Sequence, residues 1–264
     1  MTTLPTLATA RRLVVKIGSA LVVDAAQSTL RTEWLAGVAA DIAALRARGV
    51  EVIVVSSGAV ALARRALGLT RKRLRLEEKQ AAASVGQIRL AGAWAEVLAA
   101  RGLTAAQLLL TPHDSEDRRR YLNARATLRT LLELGCIPVI NENDTVATAE
   151  LRFGDNDRLS AEVAVLAQAD HLIILTSVDG LQDEDGNRVK KVQDIAKAFR
   201  LVRSDKGEES VGGMKTKLEA VRKASSAGIT AHILDGRKAG QIEAALKGKD
   251  VGTSFPIRHN SIRS

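Results

Sequence analysis

Short apolar segments alternate with longer amphipathic segments along almost the whole chain. The apolar segments are rich in Val, Ile and Leu, which is typical of strands buried on both faces of a parallel sheet. The longer segments carry apolar residues at helical spacing, and several end at a glycine, as helices commonly do. The pattern predicts strands at Leu13 to Val15, Val50 to Val55, Ala105 to Leu110, Ile137 to Ile140, His171 to Leu175 and Ile229 to Leu234. It predicts helices at Thr32 to Arg48, from about Ala59, and at Glu77 to Arg101, Arg118 to Leu134, Leu159 to Gln168, Met214 to Ala227 and Gln241 to Leu246, with a hairpin turn at Asp185-Gly186.

Strands that alternate with helices in this way predict an α/β fold, a three-layer αβα sandwich around a mostly parallel central sheet. No linker rich in Pro, Gly or Ser divides the 264 residues, and no internal repeat is present. We therefore expect one domain over residues 1–264. In such folds the ligand site lies beyond the carboxyl ends of the strands.

Composition narrows the class of protein. Apolar residues make up 46% of the chain, which is enough for a sizeable core. The segment Met1 to Ala10 has no basic stretch followed by an apolar run, so it does not resemble a secretory signal. No segment approaches the roughly 18 uncharged apolar residues that a membrane span requires. A lone cysteine, Cys136, suits a reducing compartment. We expect a cytoplasmic protein with no membrane association.

The net charge of +9 raises the question of a nucleic-acid partner. A dense basic patch is formed by Arg64, Arg65, Arg71, Lys72, Arg73 and Arg75. Phosphate backbones bind to such clusters, but single-stranded nucleic acids also need aromatic stacking platforms. The chain has only two Trp, one Tyr and three Phe, and none of them lies near the patch. A solvated surface is therefore favoured over a nucleic-acid site, although a positive field also favours anionic ligands such as ATP.

Small, polar and lysine residues follow the carboxyl ends of the predicted strands. Four such segments are Lys16 to Ser19, Ser56 to Ala59, Asn141 to Asp144 and Thr176-Ser177; in addition, Val211 to Gly213 precede the late predicted helix, which opens with Met214 to Lys217. Glycine-bearing turns allow the backbone to approach a phosphate, and helix N-termini offer free N–H donors. The common phosphate-binding motifs are absent, and the four histidines are too scattered to predict a metal site.

Two polar motifs bracket a short excursion after one apolar strand. They are Asn141 to Asp144 and Gly154 to Arg158. So many carboxylate and amide groups would repel one another unless a positive group lies between them. An ammonium group, a magnesium-phosphate or lysines from elsewhere in the chain would fill that role.

Both motifs resemble those of the glutamate 5-kinases, in the amino acid kinase family. The resemblance covers about residues 10 to 254. Its motifs are Val15 to Ser19, Ser56 to Ala59, Ala83 to Gln87, Gln107 to Thr111, Tyr121 to Ala124, Asn141 to Val146, Phe153 to Asp157 and Gly212 to Lys217. The usual family residues are replaced at Ser177, Gln182 and Val211, all on the expected nucleotide side.

The resemblance implies transfer of the ATP γ-phosphoryl group to the side-chain carboxylate of L-glutamate. The product is L-glutamyl 5-phosphate, in the first step of proline biosynthesis, with Mg²⁺ accompanying ATP and no dedicated metal site. Lys16 and Lys217 would act in catalysis, with Asp157 holding their ammonium groups. Glutamate would be bound by Ser57, Asp144, Asn156 and Asn141. The nucleotide would contact Lys16, Thr176, Ser177, Val211, Gly212, Gly213, Met214, Lys215, Thr216 and Lys217.

The resemblance also implies partners. Proline is expected as a feedback inhibitor and a homo-oligomer as the assembly, with no nucleic acid. Many glutamate 5-kinases carry a C-terminal domain that resembles RNA-binding modules, and because this sequence ends at Ser264 we expect a form without it. Two alternatives remain. The same fold could phosphorylate another acceptor, as an acetylglutamate kinase, an aspartokinase or a nucleotide kinase does, or it could be a non-catalytic relic that senses ligands or binds nucleic acid.

Overall fold

The computed structural model describes residues 7–71, 73–147, 156–204 and 208–257. Its strands are β1 (Arg12–Ile17), β2 (Val23–Asp24), β3 (Thr29–Leu30), β4 (Glu51–Ser56), β5 (Ala105–Leu110), β6 (Ile137–Glu142), β7 (His171–Thr176), β8 (Thr230–Asp235) and β9 (Thr253–Phe255). Its helices are a 3-10 turn (Leu7–Thr9), α1 (Ser19–Val22), α2 (Thr32–Ala47), α3 (Ala59–Ala63), α4 (Leu76–Ala99), α5 (Pro112–Glu116), α6 (Arg118–Glu133), α7 (Asn156–Leu166), α8 (Ile195–Ser204), α9 (Glu208–Ser226) and α10 (Gln241–Leu246).

Seven of the described strands form one sheet in the order β5-β6-β4-β1-β7-β8-β9. Every neighbouring pair is parallel except β8 and β9, which are antiparallel. Strands β2 and β3 form a separate antiparallel pair. The carboxyl ends of five parallel strands lie at the same edge of the sheet, namely those of β1, β4, β6, β7 and β8. Polar residues that are distant in sequence therefore meet at this edge.

The sheet is covered on both faces. On the first face, Leu13, Val15 and Ile17 of β1 pack in a cluster with residues of α2, α4 and α10. On the second face, Val14 packs in a cluster with residues of α6, α7, α8 and α9. Successive residues of a strand point to opposite faces, so one apolar strand serves both layers. The predicted three-layer αβα fold with a mostly parallel sheet is confirmed.

Most predicted elements are present, and β5 and α10 have the predicted bounds. Two helix starts are wrong. Helix α7 begins at Asn156 rather than Leu159, and α9 begins at Glu208 rather than Met214. Polar first-turn residues and two glycines obscured these starts, although a glycine costs a helix only about 1 kcal/mol relative to alanine.

Seven of the described elements were not predicted: the 3-10 turn, α1, β2, β3, α5, α8 and β9. Helix α8 is present with apolar residues on its second-face side, including the buried Val202. The three-residue strand β9 pairs antiparallel with β8 at the edge of the sheet. The predicted Asp185-Gly186 turn is confirmed by the antiparallel bridge between Gln182 and Arg188 and by the positive φ of Gly186 (79°).

None of the described helices is long and apolar enough to cross a membrane. A single domain over residues 1–264 stays a prediction.

Candidate active site

Three charged side chains from three elements meet at the carboxyl edge of the sheet. Lys16 is the fifth residue of β1 and points to the second face, as Val14 does. Its Nζ lies 2.5 Å from Oδ1 of Asp157, in the first turn of α7. The Nζ of Lys217, on α9, lies 3.2 Å from Oδ2 of the same carboxylate. The site therefore holds two ammonium groups on one anion.

Asp157 is fully buried, with 0% of its side chain exposed. A buried carboxylate is costly unless paired charges and hydrogen bonds compensate it. Besides the two lysines, the hydroxyl of Thr216 donates to Asp157 Oδ2 at 3.0 Å. The position of Asp157 in the first turn of α7 also favours a negative charge through the helix dipole. This carboxylate is therefore firmly positioned between β1 and α9.

A second set of polar side chains lies next to this cluster and is joined by hydrogen bonds. The Asn156 amide Nδ2 donates to Ser57 Oγ at 2.7 Å and to Asn141 Oδ1 at 2.8 Å. Asn156 and Asn141 are both buried. Asn141 Oδ1 also accepts from the backbone N–H of Glu142 at 2.9 Å. Because Asn156 and Asp157 are consecutive, α7 fixes this network relative to the charged cluster.

The network forms one side of an open cleft of about 340 Å³. The turn after β4 forms the other side, where Gly58 has φ 125° and a Cβ would lie 2.9 Å from Val23. Only glycine meets both conditions without strain. The residues that line the cleft are Ser19, Ser57, Gly58, Ala59, Val60, Ala61, Arg64, Asn141, Glu142, Asp144 and Asn156.

Helix α4 supports both walls of this cleft from behind. Its Gln87 side chain accepts a hydrogen bond from Asn141 Nδ2 at 2.8 Å. Its buried Trp94 donates from Nε1 to Ser56 Oγ at 3.0 Å, beside Ser57. Gly86 lies against the backbone of Ala59, where a Cβ would be only 1.7 Å from the carbonyl oxygen. The spacing between α4 and the turn at the start of α3 therefore requires a glycine.

The residues predicted to contact the nucleotide lie beyond β7 and on α9. Thr176 ends β7 and is buried, whereas Ser177 and Lys215 are exposed. Val211, Gly212 and Gly213 lie within α9 and not in a turn before it, which corrects the predicted glycine turn. Gly213 still contributes to the site, because its carbonyl accepts hydrogen bonds from Thr216 Oγ1 at 3.0 Å and Lys217 Nζ at 3.1 Å. Met214 packs against the second-face core.

The strand beside Thr176 adds further charge to this side. Asp235, at the end of β8, is paired in register with Thr176. Its carboxylate accepts a hydrogen bond from Arg237 Nε at 2.9 Å, and this guanidinium lowers the pKa of Asp235. Arg237 and Lys238 are largely exposed, so this edge of the sheet presents positive charge to solvent.

The structure brings together most of the predicted site residues. Lys16, Asp157 and Lys217 form the charged cluster, and Ser57, Asn141, Asp144 and Asn156 line the neighbouring cleft. The predicted motif residues Phe153, Gly154 and Asp155 lie outside the described residues. Gln87, Arg64 and Ser19 belong to the site but were not predicted to bind a ligand. The Ala83 to Gln87 motif was the one signal that could have identified Gln87.

This geometry suits the transfer of an anionic group to an anionic acceptor. Two lysine ammonium groups at one end can neutralise negative charge, and the polar cleft beside them can hold a small zwitterion. Within the part of the chain that the structure describes, no three His, Cys, Asp or Glu side chains come together as a metal site.

Comparison with known proteins identifies the family to which the chain belongs. The model of the amino acid kinase family matches residues 11–235. The chain is 56% identical over 241 residues to a glutamate 5-kinase of Gluconobacter oxydans, covering 89% of this chain and 64% of the relative. It is 54% identical over 250 residues to a glutamate 5-kinase of Dinoroseobacter shibae, covering 92% of this chain and 68% of the relative. The chain thus spans about two thirds of the length of these curated relatives.

Among solved structures, an N-acetylglutamate synthase from Neisseria gonorrhoeae bound to coenzyme A and L-arginine has a similar fold. The TM-score is 0.66 at 20% identity, covering 94% of this chain and 62% of that chain. At this identity the similarity concerns the fold alone. The fold, the family match and the curated relatives agree, and the chain belongs to the amino acid kinase family and, within it, to the glutamate 5-kinases.

Proposed function

We propose that this chain transfers the γ-phosphoryl group of ATP to the side-chain carboxylate of L-glutamate. The observation that carries the proposal is the pairing of Lys16 and Lys217 with the buried Asp157, 2.5 and 3.2 Å from its two oxygens. This cluster lies directly beside a cleft that can hold the acceptor. The identity of 49–56% to glutamate 5-kinases over 84–96% of the chain supports glutamate as that acceptor.

The acceptor carboxylate needs no general base. A glutamate side chain has a pKa of about 4.3 and is already ionised at neutral pH. The barrier comes from bringing this anion in line with the polyanionic triphosphate. A site with two lysines and no histidine among its described lining residues meets that requirement.

The two lysines divide the electrostatic work between them. Asp157 holds both ammonium groups before the substrates arrive, so little reorganisation is needed when charge develops on the transferred group. Lys16, on the strand beside the acceptor cleft, is proposed to stabilise the phosphoryl group as it approaches the carboxylate. Lys217, on α9, is proposed to stabilise the oxygens on the nucleotide side.

Mg²⁺ is proposed to reach the site on the nucleotide. Both oxygens of Asp157 already contact lysine or threonine side chains, so this carboxylate is a poor candidate ligand. Mg²⁺ commonly binds phosphate oxygens and retains several waters, which fits a site without a protein carboxylate cage. When bound, it would reduce the negative charge of the β- and γ-phosphates. If one equivalent of metal survived EDTA dialysis in the absence of nucleotide, this assignment would be wrong.

The direct experiment traps the acyl phosphate. We expect the purified chain, incubated with ATP, Mg²⁺, L-glutamate and hydroxylamine, to produce glutamyl hydroxamate and ADP in equal amounts. Lys217→Ala serves as the negative control and Lys215→Ala as the matched control, because Lys215 is exposed on the same helix. ADP release without hydroxamate would contradict phosphorylation of a carboxylate.

An acceptor panel separates this function from its closest alternatives. Asp144 lines the cleft and is proposed to pair with the substrate's α-ammonium group. Acetylation removes that positive charge and adds bulk, so the proposed pairing with Asp144 is lost. We expect a kcat/KM for glutamate far above those for aspartate and N-acetylglutamate. Equal values for glutamate and its N-acetyl form would favour an acetylglutamate kinase.

Inhibition by proline belongs to the same proposal. Proline shares the α-ammonium and α-carboxylate groups of glutamate, so we expect it to compete for the cleft at Asp144. A rate unchanged by millimolar proline at low glutamate would contradict this.

A homo-oligomer is supported by exposed apolar side chains on α4, where Ile88 is 77% and Val85 39% exposed. Sedimentation equilibrium would test the assembly.

The protein is proposed to act in the cytoplasm without a nucleic-acid partner. In the basic patch, Arg75 pairs with Glu77 at 3.3 Å and Glu78 at 3.4 Å, which reduces the local positive charge. We expect only weak, salt-sensitive RNA association. Tight, sequence-selective binding at physiological salt would show otherwise.

A further inference from the structure

We infer that Arg64 binds the α-carboxylate of the amino-acid acceptor and is thereby a specificity residue of the cleft. The inference rests on the proposed function, since it assigns one charged group of glutamate to one cleft residue. Glutamate carries three charged groups. The side-chain carboxylate must face Lys16 and Lys217, and the α-ammonium group matches Asp144. The α-carboxylate still requires a positive partner.

Arg64 is the one cation among the described residues that line the cleft. The other charged lining residues, Glu142 and Asp144, are both negative. A carboxylate entering this cleft without a positive partner would be repelled by them. The distribution of charge is therefore that of a site for a zwitterion, with carboxylates for the ammonium group and a guanidinium for the carboxylate.

The backbone places the Arg64 side chain on the cleft side of α3. Arg64 follows the last residue of α3 and keeps helical dihedral angles, with φ −51° and ψ −49°. Residues three and four positions apart share one face of a helix. Ala61 and Val60 occupy those positions relative to Arg64, and both also line the cleft.

Arg64 has capacity left for a ligand. Its Nε donates to the Leu69 carbonyl at 3.4 Å, and one terminal nitrogen, Nη2, donates to the Arg71 carbonyl. A guanidinium has five N–H donors, so three remain after these two contacts. Among the described residues, no carboxylate lies within ion-pair distance of Arg64, and its side chain is half-buried. Two nearby surface arginines, Arg71 and Arg75, lack this combination because they pair with glutamates.

The contacts to Leu69 and Arg71 hold the guanidinium in place before any ligand binds. Such preorganisation reduces the entropy that binding must overcome. A planar guanidinium also binds a carboxylate through two parallel hydrogen bonds, which a lysine cannot do. We therefore expect Arg64→Lys to recover only part of the function of Arg64.

The test compares glutamate with 4-aminobutyrate, which is glutamate without its α-carboxylate. For the wild-type chain and for Arg64→Ala, kcat/KM is measured by hydroxamate formation with each acceptor. We expect Arg64→Ala to lower kcat/KM for glutamate by about 10- to 100-fold, the usual effect of losing a charge-assisted pair. The value for 4-aminobutyrate should change by less than about threefold, because that acceptor has no group for Arg64. Where turnover of 4-aminobutyrate is too slow, its Ki against glutamate gives the same comparison.

Arg65→Ala is the matched control, because Arg65 is the exposed neighbour and does not line the cleft. It should leave both acceptors unaffected. An equal loss for glutamate and 4-aminobutyrate in Arg64→Ala would overturn the inference and assign Arg64 to holding the segment from Leu69 to Arg71. An unchanged kcat/KM for glutamate would overturn it as well. Failure of the wild-type chain to form any glutamyl hydroxamate would instead refute the proposed function.

Discussion

The two halves of the active site are built differently. On the proposed acceptor side, Ser57 follows β4, Asn141 lies on β6 and Asn156 begins α7, and hydrogen bonds of 2.7 and 2.8 Å join them. On the proposed nucleotide side, Ser177 and Lys215 are exposed to solvent. Asp157 lies between the halves and contacts a lysine from each.

This difference indicates where selectivity resides. Buried amides that hydrogen-bond one another can adopt few arrangements, so an acceptor of the wrong shape or charge leaves polar groups unpaired. Exposed side chains on the nucleotide side can adapt at low cost. Substitutions in the acceptor half should therefore change glutamate kinetics sharply, and substitutions of exposed residues in the nucleotide half should change ATP kinetics weakly.

The largest effect is expected where the two halves meet. Lys217→Ala and Lys16→Ala should each lower kcat by about 100-fold or more, as the loss of one preorganised charge donor typically does. The KM for glutamate should change much less, because the acceptor network does not include either lysine. Steady-state kinetics with the hydroxamate assay measures both constants.

Lys215→Ala is the control for this pair, since Lys215 is exposed on the same helix. It should retain activity close to that of the wild type. A dispensable Lys217 together with an essential Lys215 would mean that the wrong lysine has been assigned to the transferred phosphoryl group.

The second-largest effect is expected from a substitution on α4, which tests whether this helix shapes the acceptor half of the site but not the nucleotide half. Gly86→Ala places a Cβ at 1.7 Å from the Ala59 carbonyl oxygen, so α4 and the turn that carries Ser57 must separate. Overpacking of this kind costs about 1–3 kcal/mol, and we expect the glutamate KM to rise by about 10-fold or more. The ATP KM should move much less.

Gly92→Ala on the same helix is the matched control, because a Cβ at Gly92 meets nothing within 4 Å. It should leave KM unchanged and stabilise the protein by about 0.5–1 kcal/mol through helix propensity. Thermal melts of both variants separate a local change in the cleft from general unfolding. Equal changes in the two KM values for Gly86→Ala would contradict a role confined to the acceptor side.

The sequence predicts the layers and the location of the site because both follow from local patterns. Apolar strands between amphipathic helices predict the parallel sheet. Because ligand sites in such sheets lie beyond the carboxyl ends of the strands, Lys16, Ser57 and Asn141 are predicted to lie at one edge. The bounds of β5 and α10 follow from the same patterns. Helix starts are harder to predict, because polar first turns such as that of α7 resemble loops.

Support from behind the cleft could not be derived from local patterns. Gln87 contacts Asn141 across a separation of 54 residues, and only tertiary packing shows which side chains α4 turns toward the cleft. Gly86 looks like any glycine in a helix until Ala59 is found against it. Arg64 belongs to a basic run whose other described members are exposed, so charge alone could not distinguish it. Sequence therefore predicts candidate ligand-binding residues more readily than the residues that position them.

A matched pair of serines should sharpen the comparison with a smaller effect. Ser57→Ala removes the hydroxyl that accepts from Asn156 Nδ2 at 2.7 Å, leaving a buried amide donor with one partner fewer. Such a loss costs about 1–3 kcal/mol, so the glutamate KM should rise by about 5-fold or more. Ser177→Ala, at an exposed position, should change the ATP KM by less than about threefold. A larger effect from Ser177 than from Ser57 would reverse the proposed difference between the halves.

The smallest effect on activity is expected from a site that belongs to neither half. His171 and His232 are buried side by side near the amino end of β7, with Nδ1 of His171 3.2 Å from Nε2 of His232. Burial, and then the neighbouring His171, lower the pKa of His232 from 6.5 to about 3. Below pH 6.5 the unfolded chain takes up a proton that the folded chain refuses, so stability is lost as the pH falls from 6.5 toward 3. The slope should approach about 1.4 kcal/mol per pH unit in this window.

His232→Gln keeps an amide near the Nε2 position but cannot titrate, so its free energy of unfolding should fall less steeply with acid than that of the wild type. At pH 7.5, kcat and both KM values should match the wild type. Denaturant melts between pH 4 and 7.5 measure the slope, and identical slopes for the two proteins would show that His232 is not the group responsible.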